Sequence, residues 1–573
     1  MSRLRAFPQS PLVRHPGLLA RKIAGRLGLY REDAPLPETA ASGVAYPAHW
    51  ASSLRSWMQQ VPLNPGPHPF NRVFGLEFDE SFLLRLCREG PSRGERGLAG
   101  DIKLIWDYSR GHPLFTNAAA GADHVTACAG FIRRWREANA DTNGSPWICA
   151  MDTAIRAVNW IFADVLFDGA LASALGRSEF YSMLHRHGQS IWRRLEVRLI
   201  NSNHYLANLL GLAVIGAIFP DDPQARAWLT FARDEFPRAL MVQTRADGGL
   251  NEASLRYHAF VTEMALLFRL AMGTPWSAAA ETRLRQMCQI VADFQDATGD
   301  VFPFGDDDSG RVLAVDSASP LGRAETLLRL ASTVLAEPFK TAAQSVCPQS
   351  GWWIRRAGDF TLALDFGGVG LNGLGGHAHN DDFSICLEWR NRPVIIDPGT
   401  FLYTSDPEAR NRFRSTGYHN TLQVDGCEQR ALSSSVFAMP GSDKAFEAVL
   451  TGEESRAFQR LAVPSASHRR ELSVNGSEVC IRDSVGASGR HRLRWCFQLH
   501  PGVRAQLTPQ GFLLTIPETG VLLLATNAPA PDLGIIDSEY SPAYGQREPS
   551  HACTADSDYV LPASVEWKVR AMG

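Results

Sequence analysis

Little in this chain is extreme, and each thing it lacks removes a class of function. An excess of one charge is missing: 57 Lys and Arg against 60 Asp and Glu leave −3 over 573 residues. That balance fits neither a nucleic-acid binder nor an acidic, solvating chain, so any contact with a polyanion must be local. Long hydrophobic runs are also missing, and no stretch approaches the roughly 20 apolar residues needed to cross a bilayer, so no transmembrane segment is expected. The ten cysteines carry no CxxC pair and several, such as Cys149 and Cys386, sit inside apolar runs, which marks them as reduced core residues. The N-terminus lacks the uninterrupted apolar core and small-residue cleavage site of a secretory signal, so the default compartment is the cytoplasm, with periplasmic placement or export as the alternative. It does carry seven Arg and Lys before its first acid, Glu32, with Leu19, Ile23 and Leu27 at helical spacing. This basic arm, residues 1–40, is expected to be a docked amphipathic helix rather than a membrane-surface segment.

What is present is ordinary globular material, 45% hydrophobic and 20% charged, long enough for two large domains. In the first half apolar residues recur at three and four in WICAMDTAIRAVNWIFADVLF, NHYLANLLGLAVIGAIF, EASLRYHAFVTEMALLFRLAM and ETRLRQMCQIVADFQDA, separated by turns bearing Gly, Pro or Asp. Successive helical hairpins of similar length over residues 41–345 suit an α-solenoid or an α/α toroid, an incomplete barrel, better than a simple bundle. From about Gly351 the pattern becomes short period-two runs: FTLALDFG, FSICLEW, PVIID, NTLQVDG, HRRELSV, EVCIRDSV, LRWCFQLH, GFLLTIP and GVLLLAT. These predict an antiparallel β-sandwich over residues 346–573, with the linker near Ala336–Gln349. The fold class is thus multidomain α and β.

The densest chemistry lies in GGHAHNDDFSICLEWRNRPVIIDPGTFLYTSDPEARNRFRSTGYHNTLQVDG, beginning at Gly375. His377 and His379 are two apart, so an extended backbone projects both imidazoles to one side. Asp397 closes the run PVIID, and His419 precedes the run NTLQVDG. These residue types can hold a metal, transfer protons, or do both. In the helical half, Asn203 and His204 stand at the mouth of a long apolar helix, where Asn201, Ser202 or Asn203 would equally serve as a cap. Tyr257 and His258 follow a glycine turn.

Together DIKLIWDYSRGH, NSNHYLANLLGL, DGGLNEASLRYHAF, FPFGDDDSGR and the Gly375 segment resemble the heparinase II/III family of polysaccharide lyases over roughly Asp101 to Gly426. The resemblance implies an α/α toroid joined to an antiparallel β-sandwich, and β-elimination at a uronic acid inside an anionic polysaccharide. It implies that Asn203 and His204 neutralise the substrate carboxylate, that Tyr257 protonates the leaving oxygen and serves as a base for one epimer, and that His377 is the partner base. A proton beside a carboxylate is a very weak acid, which is why donors must be aimed at the developing enolate. Tyrosine, with a reference pKa of ~10, also needs a neighbouring cation to act as a base, and Arg256 and Arg412 are available in sequence. His379, Asp397 and His419 match a zinc site of some members, with a mainly structural role; a metal-free hydrogen-bonded cluster is the other reading. Arg110, Tyr403 and Arg412 are expected substrate contacts, whereas Trp106 reads as a core residue. Asp306, Asp307 and Asp308 read as an exposed acidic turn that would repel an anionic substrate.

Three other classes compete. HAHNDD resembles the HxHxDH motif of metallo-β-lactamase-type hydrolases, but Asp382 stands where the last histidine belongs and a strand–helix alternation is missing. A glycoside hydrolase would need two carboxylates flanking the scissile bond. A noncatalytic polysaccharide-binding factor could keep the fold without the chemistry, although Asn203, Tyr257 and His377 are intact. Which uronate polysaccharide is the substrate, and the oligomeric state, are not encoded in these motifs.

Overall fold

The computed structural model describes residues 43–64, 66–91, 96–450, 455–462, 466–529 and 531–572. The basic arm at residues 1–40 lies outside the described residues. The chain divides into two compact units that interleave in sequence. The first is Met1–Thr244, Ala259–Cys288 and Gly310–Phe339; the second is Arg245–His258, Gln289–Ser309 and Lys340–Gly573. Sequence patterning suggested one crossing near residue 345. Two stretches of the helical half instead belong with the sheets, because hydrophobic periodicity reports local structure and not which core a loop joins.

The first unit is helical. Its centre contains α1 (Ala150–Leu166), α2 (Arg177–Arg193), α3 (Asn203–Ile218) and α4 (Pro223–Gln243). Helices α1 and α3 are buried along almost their whole length, as their nearly unbroken apolar sequences require. Two glycines permit the closest approaches. A Cβ at Gly211 of α3 would lie 2.5 Å from the Cβ of Ala154 on α1, and one at Gly188 of α2 would lie 2.3 Å from the Trp228 ring on α4. The start of α4 is set by Asp222, whose side chain accepts the Ala225 N–H, with Pro223 as its first residue. Among the described residues no helix is long and apolar enough to cross a membrane.

The second unit is an antiparallel β-sandwich. Its smaller sheet runs in the order β1 (Gln344–Cys347), β2 (Trp352–Ala357), β3 (Phe360–Asp365), β4 (Ile385–Trp389), β5 (Arg392–Ile395). The larger sheet is built from β6 (Leu422–Val424), β7 (Glu447–Leu450), β8 (Ser455–Ala462), β9 (Ala466–Val474), β10 (Glu478–Gln498), β11 (Arg504–Thr508), β12 (Gly511–Ile516), β13 (Gly520–Thr526), β14 (Asp532–Tyr540) and β15 (Glu548–Met572). Its order is β11-β12-β13-β15-β10-β9-β8-β7, with β14 paired to β15 and β6 to β10. Leu362, Leu364 and Leu387 of the smaller sheet share one buried core with Leu472, Ile481, Phe497 and Val569 of the larger, and β9 alternates buried and half-buried residues accordingly.

EVCIRDSV and LRWCFQLH, read as two strands, are halves of β10. The strand continues through a register shift between Val485 and Gly489, where Gly489 takes a positive φ of 97°. Inside this core Arg470 and Asp483 face each other across β9 and β10. Arg470 Nε and Nη2 donate to the Asp483 oxygens at 2.7 and 2.8 Å, joined by His468 at 2.8 Å and Trp495 Nε1 at 2.9 Å. Burial alone would raise this carboxyl's pKa, but Arg470 outweighs burial and holds it far below the usual carboxylate range. All ten cysteines are free, and eight are buried, as reduced core residues should be.

Candidate active site

In the second unit three loops are joined by hydrogen bonds to backbone carbonyls. Asp306 N–H donates to the His377 carbonyl at 3.0 Å, and Ser254 Oγ donates to the Asp306 carbonyl at 2.6 Å. Gly305 makes this possible: its φ is +70°, and a Cβ there would sit 2.3 Å from the Ala253 carbonyl and 2.9 Å from that of His377. Ser254 also accepts the Tyr257 N–H at 3.1 Å in the first turn of α5 (Leu255–Met272). Tyr257, Asp306 and His377, far apart in sequence, are thereby brought to one place.

Tyr257 and His377 stack with ring centroids 3.9 Å apart, and the Tyr257 hydroxyl lies 3.1 Å from that of Tyr403. Burial, then the charges of Asp308 and Asp306, push the Tyr257 phenol well above its ordinary pKa. The sequence suggested activation by Arg256 or Arg412, and the structure directs both elsewhere. Arg256 pairs with Asp300 and lies 3.5 Å from Asp296, while Arg412 is exposed and donates to Glu539 at 2.5 Å. The upward shift favours the neutral phenol.

The acidic turn is also a correction. Asp306 is fully buried rather than exposed, and it is the hub of the site. Its Oδ2 accepts from His377 Nδ1 at 3.0 Å, its Oδ1 accepts from His379 Nε2 at 2.8 Å, and Arg410 of α6 (Pro407–Phe413) binds both oxygens. Burial alone would raise this carboxyl, but Arg410 and the two imidazole hydrogen bonds hold it far below the ordinary range. One carboxylate thus orients both histidines of HAH, although the segment is a loop and not a strand. Glu252, 3.4 Å from His377 Nε2, and Arg410 are further site residues that the motifs did not single out.

His379, Asp397 and His419 come together as a fully buried group whose ligand atoms lie within 4.8 Å of one another. His419 Nδ1 donates to Asp397 Oδ2 at 2.9 Å and His379 Nε2 is bound to Asp306, while His379 Nδ1 and His419 Nε2 make no hydrogen bond. Two buried imidazole nitrogens without a hydrogen-bond partner, beside a carboxylate, form a donor set that suits a metal ion. Burial would lower the His419 pKa, but Asp397 outweighs it and the net shift is upward. Asp382, at the place of the missing hydrolase histidine, is instead bound to Arg430 at 2.7 Å.

The first unit places Asn203 as the buried first residue of α3 and His204 beside it, with 36% of its side chain exposed. No side chain caps this helix, so the capping alternative does not describe Asn201, Ser202 or Asn203. His204 Nδ1 donates to Glu196 Oε1 at 2.9 Å, and Glu196 Oε2 accepts from Asn208 at 3.1 Å and from the Met151 N–H at 3.0 Å. Arg110 is 1% exposed and committed to Asp152 at 2.7 Å and Asp107 at 3.0 Å, the geometry of a core ion pair rather than of a sugar contact. Trp106 Nε1 donates to the Ser145 carbonyl at 3.1 Å, an interhelical contact.

Residues 340–568 match the model described as heparinase II/III-like, C-terminal, and residues 173–283 match the heparinase II/III N-terminus, together more than half of the chain. The chain belongs to the heparinase II/III family of polysaccharide lyases. No curated protein matches it by sequence. Among solved structures it is similar to heparinase III at a TM-score of 0.64 and 14% identity, covering 99% of this chain and 93% of that one. It is also similar to a mutant of the heparan sulfate lyase HepC from Pedobacter heparinus at 0.57 and 16%, covering 99% and 92%. At these identities the likeness speaks for the α/α toroid and β-sandwich architecture.

Proposed function

We propose that this heparinase II/III family member cleaves a uronate-containing polysaccharide by β-elimination, with Tyr257 as Brønsted acid and base, His377 as partner base, and Asn203 with His204 neutralising the substrate carboxylate. The observation that carries the reading is the pair formed by Tyr257 and His377, stacked at 3.9 Å inside the family's own motifs. Elimination removes the proton on carbon 5 of the uronate and expels the glycosidic oxygen on carbon 4. The leaving oxygen needs a proton, and a phenol whose pKa is raised by burial keeps one at neutral pH. The carbon 5 proton needs a base held still, and Asp306 fixes the His377 ring through Nδ1, so proton exchange falls to Nε2 beside Glu252. Tyr403, hydrogen-bonded to Tyr257, keeps the phenol aligned. The enolate must be stabilised by donors that need no net charge of their own, the part given to the Asn203 amide and to His204.

The His379, Asp397 and His419 group is assigned to zinc, whose preference for imidazole nitrogen and carboxylate oxygen it meets, and which would tie the loop carrying His377 to β5 and β6. The test is an ultraviolet assay for the unsaturated uronate across heparin, heparan sulfate, hyaluronan, chondroitin and dermatan sulfates, alginate and uronate-containing bacterial exopolysaccharides, with Tyr257→Phe alongside. Absorbance growing with native protein alone supports the reading and names the substrate; saturated fragments without absorbance would replace it with hydrolysis.

A further inference from the structure

The loop after β6 holds a feature that the elimination chemistry does not use. Phe437 is 44% exposed, yet it stands beside the site: its ring centroid is 6.0 Å from that of His377 and 5.0 Å from that of Tyr403, at interplanar angles of 70° and 72°. Both contacts are near-perpendicular, so neither neighbour lies flat on the ring. A single exposed phenylalanine is ordinary by itself; what sets Phe437 apart is its contact with two rings of the site.

The loop is also held in place. The fully buried guanidinium of Arg414 donates to the carbonyls of Ser433 at 3.0 Å, Ser435 at 3.1 Å and Val436 at 3.3 Å. Arg410, also fully buried and bound to Asp306, donates from Nε to the same Val436 carbonyl at 3.3 Å. Two residues past Phe437 the backbone is pinned again, where Met439 N–H donates to the Leu374 carbonyl at 2.9 Å. Two buried cations thus fix the residue immediately before an exposed aromatic ring, and one of them also holds the carboxylate that orients His377.

The geometry points to Phe437 as a sugar-stacking platform: its exposed ring receives the C–H face of a pyranose next to the residue undergoing elimination. The slightly positive C–H bonds on the less polar face of a pyranose match the negative face of an aromatic ring, whereas carboxylate and hydroxyl groups point outward from the sugar's edge. This rests on the lyase reading for the identity of the polymer, and it adds a subsite that aligns the chain before the carbon 5 proton is taken.

The test compares Phe437→Ala, Phe437→Leu and Phe437→Trp with native protein on whichever polymer of the panel is cleaved. The platform predicts kcat/KM down roughly tenfold for both Ala and Leu, carried mainly by KM, and near-native values for Trp, because leucine supplies apolar area but no ring face. Leu matching native, or Ala leaving KM unchanged, overturns it. Each substitution is also placed in the Tyr257→Phe background and run through gels cast with each polymer. Retardation that is lost with Ala and Leu but kept with Trp upholds the platform even if no polymer is cleaved, in which case the lyase reading alone falls. Retardation in none of the gels, with no cleavage, overturns both.

Discussion

The hydroxyl oxygens of Tyr257 and Tyr403 lie 3.1 Å apart, so the phenol assigned as the acid is aligned by a second phenol. Tyr257→Phe is therefore expected to reduce formation of unsaturated product by at least about a thousandfold with an unchanged melting temperature. Tyr403→Phe should lose only about tenfold, because it removes alignment and not the proton. Equal losses in the two variants would argue against this division of roles.

Asp306→Asn should be damaging on two counts. It leaves Arg410 buried without its carboxylate, a change that costs about 3–5 kcal/mol, and it frees the rings of His377 and His379 together. Urea unfolding and the elimination assay on the same preparation would check this; a variant of native stability would mean that Asp306 is not the hub.

His379→Ala and His419→Ala are each expected to lower zinc content and thermal stability together, and a chelator should do the same to native protein. Metal analysis beside calorimetry decides it. Native metal content and melting in both variants would remove zinc from this group.

Acid should attack the β-sandwich at Asp483. Its folded pKa lies below the unfolded value of ~3.9, so it contributes stability that is present above that value and is lost as pH falls below about 4 towards the folded pKa. Asp483→Asn should cost roughly 3–5 kcal/mol at pH 7, where Arg470 is left unpaired, and much less at pH 2. A destabilisation independent of pH would contradict the ion-pair account.

Glu388 carries the opposite sign. Burial pushes its carboxyl up to about 7, against the Ala297 N–H that donates to it at 2.6 Å, so the folded state keeps a proton that the unfolded chain has lost. Stability should fall as pH rises from ~4.5 through 7 and be flat above. Glu388→Gln should remove this slope and add about 1–3 kcal/mol at pH 8 but little at pH 4.5, measured by urea midpoints at the two values. The same gain at both would point to packing instead.

The sequence revealed the elements better than their partners. α1, α3 and α5 appear where three-and-four spacing put them, because each buries an almost continuous apolar surface. β15, a 25-residue strand at the centre of the larger sheet, went unread because Asp556, Ser557 and Asp558 interrupt its alternation. Tyr257 and His377 stand in motifs shared with the family, Tyr403 is expected only as a substrate contact, and His379, Asp397 and His419 stand out by residue type and by the same resemblance; the structure brings Tyr257, Tyr403 and His377 together. Asp306 and Glu252 were not legible, since the value of a carboxylate depends on whether it is buried against cations, and that is decided by loops far apart in sequence. Arg110 shows the converse: its motif invited a sugar contact, while its surroundings give it two carboxylates and almost no surface.

The interleaving of the two units means that no single cut yields the site. A fragment beginning at Lys340 would carry His377, the zinc-type triad and Tyr403, yet would be missing Glu252, Tyr257 and Asp306, which reach the same unit from Arg245–His258 and Gln289–Ser309. Swapping sandwich domains between relatives to exchange specificity would meet the same obstacle. Each graft would part the histidine from its carboxylate and from its tyrosine unless those two short segments travelled with it.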